Sequence, residues 1–415
     1  MNTVLLNDRS IEACAEGSAL SWEIFCSFED VRHLQPQWDD SAARLGGSIY
    51  MTFDWCRIWW QFYGERKALR LFVWRVNERI VGLLPIYIET VRLGLLRLKV
   101  ARLVGANIPP KVFDPPLDPA FTETIFEQLF KRLLAEDGCD LVSLGPISER
   151  LNLAEPLQRA CKLRHDLTRN LESLRGVHSV FELPANMEAY YGALSKNERK
   201  NRRKYELRLL KKEYETRVEV ITELSKAESE FECFAQQHAA QWAAEGKTGH
   251  FGAWPKALEF NRALVRAQAA LNRVRFVRIV ANEEVIANQY TYAFGDRYYW
   301  ELPARAIAPK WDRFSLGPTG LVTLIERGIE EGKRYLEGGL AHYDYKIRLG
   351  AREYGTFTFR VRRCGAQVGL KLAIFILFRK AMEFGYHKLW YRRIAPRLPP
   401  AFWRPQWRLW LQFDF

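Results

Sequence analysis

Residues 311–348 read WDRFSLGPTGLVTLIERGIEEGKRYLEGGLAHYDYKIR, and this stretch decides the fold. The turn Ser315-Leu316-Gly317-Pro318-Thr319-Gly320 opens a helix. Gly317 and Gly320 let backbone come close to a ligand, and Pro318 suits the first helical position. Leu321, Leu324, Ile325, Gly328 and Ile329 recur at i, i+3, i+4, i+7, i+8 spacing, which makes one face apolar. The pattern predicts a helix ending near Gly332 and a short strand over 334–337. A Gly-Gly break and the polar cluster His342, Tyr343, Asp344, Tyr345, Lys346 follow. A glycine-rich turn feeding a helix N-terminus suits an anion, because unbonded N–H groups and the positive end of the dipole face it together. The competing reading is a plain helix cap.

Upstream, the same order of elements occurs twice. Residues 274–292, VRFVRIVANEEVIANQYTY, match 69–87 in kind, each a pair of strands joined at Asn-Glu (Asn77-Glu78 and Asn282-Glu283). Ile108-Pro109-Pro110-Lys111 resembles Ile307-Ala308-Pro309-Lys310, and a helix ending at Gly138 before a strand resembles the helix ending at Gly332. An internal duplication follows: hairpin, third strand, loop, helix, strand. The copies differ at the loop. The first carries Phe113-Asp114-Pro115-Pro116-Leu117-Asp118-Pro119, where two Asp repel phosphate and the prolines lack N–H donors. The second copy is therefore the expected anion site.

Between these landmarks, residues 21–63 read as helical with clustered aromatics, and Pro85 suggests a bulge or strand end. Residues 195–214, SKNERKNRRKYELRLLKKEY, form a helix capped by Ser195, with Glu198 completing a capping box. Nine Lys or Arg lie between 196 and 212, either a solvated face or a basic wall beside an anionic substrate. His250, in a glycine-rich stretch, reads as a loop residue. The helix after 366 is apolar nearly all round from Leu372 to Phe378, so it is buried or membrane-facing. The tail HKLWYRRIAPRLPPAFWRPQWRLWLQFDF interleaves Trp and Phe with Arg. It suits an interfacial membrane anchor, stacking on single-stranded nucleic acid, or packing on the protein itself.

Composition bounds the function. The 415 residues suffice for two or three domains, and the formal charge of +13 points to an anionic partner or surface without implying nucleic acid. Seven scattered cysteines without C-x-x-C spacing point to a reducing compartment and away from zinc or a disulfide framework. No signal peptide, membrane-spanning run, metal motif, Walker motif or Ser-His-Asp pattern is evident. The expected layout is an N-terminal extension (1–20), a first unit (21–175), a second unit (176–365) and an apolar helix with a basic-aromatic tail (366–415).

Three features together resemble a known family: the aromatic block leading to LFVWRVNERIVGLLPIYI, the helix LSKNERKNRRKYELRLLKK, and SLGPTG…GIEEGKRYLEGGLAHYDYKIRLG. They resemble GNAT-superfamily acyltransferases of the CelD-like branch, found near cellulose and exopolysaccharide loci and akin to Fem peptidyltransferases. The resemblance spans about residues 20–365. It implies an α/β (α+β) fold of tandem duplicated GNAT-like units, with mixed, mostly antiparallel sheets flanked by helices. It also implies acyl-coenzyme A (acetyl-CoA) as donor and a cytoplasmic location. The superfamily's pyrophosphate loop is written Q/R-x-x-G-x-G/A, whereas Arg313 to Gly320 here is shifted and carries Pro318.

On that reading, Arg313, Ser315, Leu316, Gly317, Thr319 and Gly320 bind the cofactor, the pyrophosphate sitting on the N–H groups from Leu316 to Gly320. Glu301 is the first candidate base and His342 the second, oriented by Asp344. Tyr343 or Tyr345 protonates the leaving sulfur, and Lys346 holds a phosphate or the acceptor. Glu301 paired with Arg305, His342 as an ordinary loop residue, and Tyr345 packed in the core with Lys346 paired stay open as alternatives. The implied acceptor is a sugar or a carrier-linked saccharide, and the tail would hold the enzyme at the cytoplasmic membrane face. Two rivals remain: a Fem-type transferase using charged tRNA, and an inactive scaffold of a polysaccharide-synthesis complex.

Overall fold

The computed structural model describes residues 10–12, 20–106, 108–109, 111–162, 166–205, 208–247, 249–399, 413 and 415. In chain order these form β1 (Ser10–Glu12), β2 (Leu20–Phe25), α1 (Gln35–Arg44), α2 (Phe53–Tyr63), β3 (Ala68–Val76), β4 (Arg79–Leu93), β5 (Leu96–Leu103), α3 (Thr122–Phe130), β6 (Leu141–Ser148) and α4 (Ala154–Lys162). There follow β7 (Leu167–Glu182), α5 (Met187–Ala193), α6 (Lys196–Tyr205), α7 (Arg208–Glu213), β8 (Thr216–Ile221), α8 (Leu224–Ala244), α9 (Gly249–Ala253), α10 (Ala257–Ala270), β9 (Val274–Ala281), β10 (Glu284–Phe294) and β11 (Arg297–Arg305). Last come α11 (Leu316–Glu330), β12 (Tyr335–Leu340), α12 (Asp344–Arg348), β13 (Ala351–Arg363) and α13 (Ala366–Phe384).

The chain divides into two compact units. The first comprises Met1–Arg175, Thr356–Arg393 and Gln406–Phe415, the second Gly176–Gly355 and Ile394–Pro405. Each contains the predicted series of hairpin, third strand, loop, helix and strand, so the fold is a tandem of two like α/β units with mostly antiparallel sheets flanked by helices. In the first, β3, β4 and β5 run antiparallel and β5 pairs with β6 in parallel, from Val100↔Leu141 to Arg102↔Ser143. In the second, β9, β10 and β11 run antiparallel and β11 pairs with β12 in parallel, from Arg297↔Tyr335 to Tyr299↔Glu337. The second hairpin turns at Asn282 (φ 46°) and Glu283 (φ 64°), both left-handed, as a two-residue turn between twisted strands requires.

Four local expectations are corrected. Residues 20–25 form a strand rather than the start of a helix. Leu20, Trp22 and Ile24 are buried in alternation with half-buried Ser21, Glu23 and Phe25, a period of two. β2 pairs with β3, and Trp22 stacks on Phe72 at 6.1 Å. Pro85 does not end β4: it pairs with Leu71, and its carbonyl accepts from the Val104 N–H at 2.8 Å. The strand after α11 begins at Tyr335 and runs through Gly338 and Gly339 to Leu340. Ser195 caps α6, accepting from the Glu198 N–H at 3.2 Å, but the Glu198 carboxylate faces Arg202 (3.4 Å) and Arg348 (3.7 Å).

The units also part from the expected layout after residue 355. β13 pairs with β6 through Phe357↔Ile147 and Val361↔Val142, which completes the first unit's sheet. Leu372 and Phe375 of α13 then pack on Val91, Leu98, Val100 and Leu141 of that unit. Linear order hides this, because strand pairing is set by edges left open in space. The expected N-terminal extension, but for 10–12 and Leu20, and most of the tail beyond 399 lie outside the described residues. Among the described residues no helix is long and apolar enough to cross a membrane.

In the second unit, Leu321, Leu324 and Ile325 of α11 bury against Val277, Tyr298 and Leu336 of the sheet. Gly328 permits the close approach, since a Cβ there would lie 2.8 Å from Leu183 Cδ1. Below this layer Glu337 is 4% exposed, with His178 Nε2 at 3.0 Å and Arg297 Nη1 at 3.3 Å.

Candidate active site

The site grows from a fork. β11 and β12 share three register positions and part after Tyr299 and Glu337, while β11 continues to Arg305. Lys346, on α12, reaches into the fork. Its Nζ donates to the Gly338 carbonyl of β12 at 2.7 Å and lies 5.8 Å from the Trp300 ring of β11 and 4.7 Å from the Tyr343 ring. Burial lowers its pKa to about 8, against a weaker raising effect from Glu353. Sequence spacing offered no sign that this lysine would sit where the strands part.

That burial has a measurable consequence. A lysine whose folded pKa lies below its unfolded value binds fewer protons when folded, between the two values. Stability must therefore rise as pH is raised through that interval. Wild type is expected to gain stability relative to Lys346→Met between about pH 8 and 10, measured by urea unfolding at fixed pH. A flat difference would mean that Lys346 titrates as it does in water.

The N-terminus of α11 lies behind the fork and is narrower as an anion site than the sequence suggested. Thr319 N–H already bonds to the Ser315 carbonyl at 3.0 Å, and Pro318 has none to give. The N–H groups of Leu316 and Gly317 are the ones at the helix end without an intrahelical acceptor. The two glycines have different tasks. A Cβ on Gly317 would meet nothing within 4 Å, whereas one on Gly320 would fall 2.4 Å from Gln289 Nε2. Gly320 thus seats the helix on the sheet. Gln289 Oε1 in turn accepts from Trp300 Nε1 at 2.9 Å, linking the helix start to the fork. Leu316 is buried in an apolar cluster with Ile279 and Trp311, and Thr319 Oγ1 donates to the Phe314 carbonyl at 3.2 Å. Ser315 takes a left-handed conformation, φ 54°. Arg313 is engaged by Glu213 and lies over the Phe314 ring at 4.8 Å.

The catalytic candidates separate. Glu301 is half-buried on β11 beyond the last residue paired with β12. Its charge, added to burial, raises the pKa of Tyr292. His342 is exposed, with Nδ1 2.9 Å from Glu353 and Nε2 3.1 Å from Asp344. Hydrogen bonds to Glu353 and then Asp344 raise its pKa. The Tyr345 hydroxyl is pushed up to about 12 by burial and by Tyr343, and stays protonated at neutral pH.

Sequence reasoning missed a histidine pair. His238, 1% exposed on α8, has Nδ1 2.9 Å from the Pro303 carbonyl of β11 and Nε2 3.1 Å from His250 Nδ1. A carbonyl only accepts, so His238 carries its proton on Nδ1 and Nε2 accepts from His250. His250 thus anchors α9 beside the far end of β11. No fixed spacing marks such a pair.

In the first unit the corresponding opening is closed. Phe113 bridges to Ile147 in parallel and its N–H bonds to the Pro146 carbonyl at 2.8 Å, with Phe113 and Asp114 both buried. The Asp-Pro loop lies against β6.

Residues 196–347 match the family described as Acetyltransferase (GNAT) domain. Comparison with curated proteins finds no match. Among solved structures, FemX is similar with a TM-score of 0.60 at 9% identity, over 79% of this chain and 95% of that one. A tandem GNAT protein from the clavulanic acid biosynthesis pathway aligns with a TM-score of 0.39 at 12% identity, over 83% and 99%. A GCN5-related N-acetyltransferase from Sphaerobacter thermophilus aligns with a TM-score of 0.32 at 8% identity, over 83% and 96%. The chain carries a GNAT-type acyltransferase domain in its second unit and is a transferase.

Proposed function

We propose that the chain is an N- or O-acyltransferase using acyl-CoA, with acetyl-CoA as donor and a sugar or saccharide-linked acceptor in cellulose or exopolysaccharide metabolism. It would belong to the CelD-like branch and work in the cytoplasm, peripheral to the inner membrane. The observation that carries the donor is the fork of β11 and β12 beside the N-terminus of α11, inside the segment that matches the acetyltransferase domain. The acceptor rests on the sequence resemblance and on the charge of +13, which suits phosphorylated or diphosphate-linked saccharides.

The residues fit such a donor. The Leu316 and Gly317 N–H groups and the open space at Gly317 would take the pyrophosphate. The thioester supplies an activated acyl group when bound. Lys346 brings positive charge to the fork. Glu301 takes the proton of the acceptor hydroxyl or amine, and Tyr345 returns one to the departing sulfur. Asp344 and Glu353 occupy both ring nitrogens of His342, so its role is positioning rather than proton abstraction. Arg313 would first have to exchange Glu213 for a phosphate.

Calorimetric titration with acetyl-CoA tests this directly. Wild type binds, and Gly317→Glu, which enters open space and adds a like charge at the phosphate position, binds at least about tenfold more weakly. Equal binding by the variant would remove the turn from the site. No binding by folded wild type, to acetyl-CoA or longer acyl-CoAs, would favour the tRNA-dependent or scaffold readings.

A further inference from the structure

We propose that α13 is a docking surface for an anionic lipid bilayer, lying flat on it. The helix has two apolar faces. One is spent in the core of the first unit, where Leu372 and Phe375 pack with Val91, Leu98, Val100, Leu141, Phe413 and Phe415. The other should be polar in a surface helix, and is not. Leu370 is 66% exposed, Ile374 37%, Leu377 69% and Phe384 60%, with exposed Ala373 and Ala381 between them. At 100° per residue these six fall within an arc of about 100°, on the side away from Leu372 and Phe375. The stripe runs about 20 Å at 1.5 Å per residue.

Charge selects the occupant. Exposed Lys380 borders the stripe, and exposed Lys388, Arg392 and Arg393 follow it in the wide-turned segment Gly385–Ile394. The single carboxylate of the helix, Glu383, is held by Arg379 at 3.2 Å. An apolar stripe bordered by cations matches an acyl boundary bordered by anionic headgroups, each favourable term acting at its own depth. A neutral protein groove would satisfy the leucines and leave the cations unmatched. Because no described helix can span a bilayer, the contact is in the plane of the interface. The inference does not depend on the acyl-CoA site, which lies in the other unit.

Flotation of the full chain with vesicles tests it. Wild type is expected to float with 3:1 phosphatidylcholine:phosphatidylglycerol vesicles and not with phosphatidylcholine alone. Leu377→Glu should cut bound protein at least tenfold, and Lys388→Glu with Arg392→Glu should do likewise at low salt. Both changes are at exposed positions, so unchanged circular dichroism and acetyl-CoA titration serve as folding controls. Vesicle binding retained by Leu377→Glu would overturn the proposal. So would absence of flotation combined with a dimer in light scattering that Leu377→Glu dissolves, which would make the stripe a self-association face.

Discussion

Glu301→Gln is expected to lower kcat by about 10²- to 10⁴-fold, the usual range for loss of a general base, while leaving acetyl-CoA affinity unchanged. The expectation follows from position. Glu301 stands on the part of β11 that has left β12, near enough to Tyr292 to add to the effect of burial in raising its pKa. His342 offers the contrast. Both of its ring nitrogens face carboxylates, and a ring that donates to both has no lone pair with which to take a proton. His342→Gln should therefore cost much less than Glu301→Gln. The comparison is made by following release of coenzyme A from acetyl-CoA with a thiol-reactive dye, against a panel of sugars and amino sugars. Turnover of Glu301→Gln within about threefold of wild type would move the base elsewhere.

The second large effect is on stability. Glu337→Leu is expected to destabilise the second unit by about 2–3 kcal/mol, because it takes the buried carboxylate from Arg297 and leaves the more exposed Asp296, at 3.6 Å, to compensate it. Glu337 also faces His178, and all three side chains are at most 12% exposed. The cost belongs to the under-compensated charge rather than to the lost bond. The double variant Glu337→Leu with Arg297→Met should consequently recover most of the loss. Urea unfolding followed by tryptophan fluorescence reads both. A cost below about 1 kcal/mol for the single change would mean that water reaches Arg297 and solvates it.

The legible parts of this protein were those that neighbours in sequence decide. The hairpins at Asn77-Glu78 and Asn282-Glu283 could be read because alternating apolar residues flank a two-residue turn. The helix of 316–330 could be read because its apolar residues repeat at helical spacing and its first turn carries the glycines and the proline. The duplication could be read because those local signals recur in the same order. The misreadings at 20–25 and Pro85 have one cause. Whether an aromatic-rich segment pairs, or a proline is tolerated within a strand, depends on the strand beside it.

Within the site the division is sharper. The pattern SLGPTG marked a helix start, but not that Gly320 faces Gln289 while Gly317 faces open space. The polar cluster from His342 to Lys346 was visible, but not that His342 is held between two carboxylates and Lys346 is buried at the fork. His238 and His250 carried no signal at all. The element order and its repetition could be read from the chain alone, since propensity and periodicity act over a few residues. It took the folded chain to show that β13 completes the first unit's sheet, that the Phe113 loop lies against β6, and which face of α13 is left apolar in water. Each of these depends on strand edges and burial between residues far apart in the chain, where no spacing rule reaches.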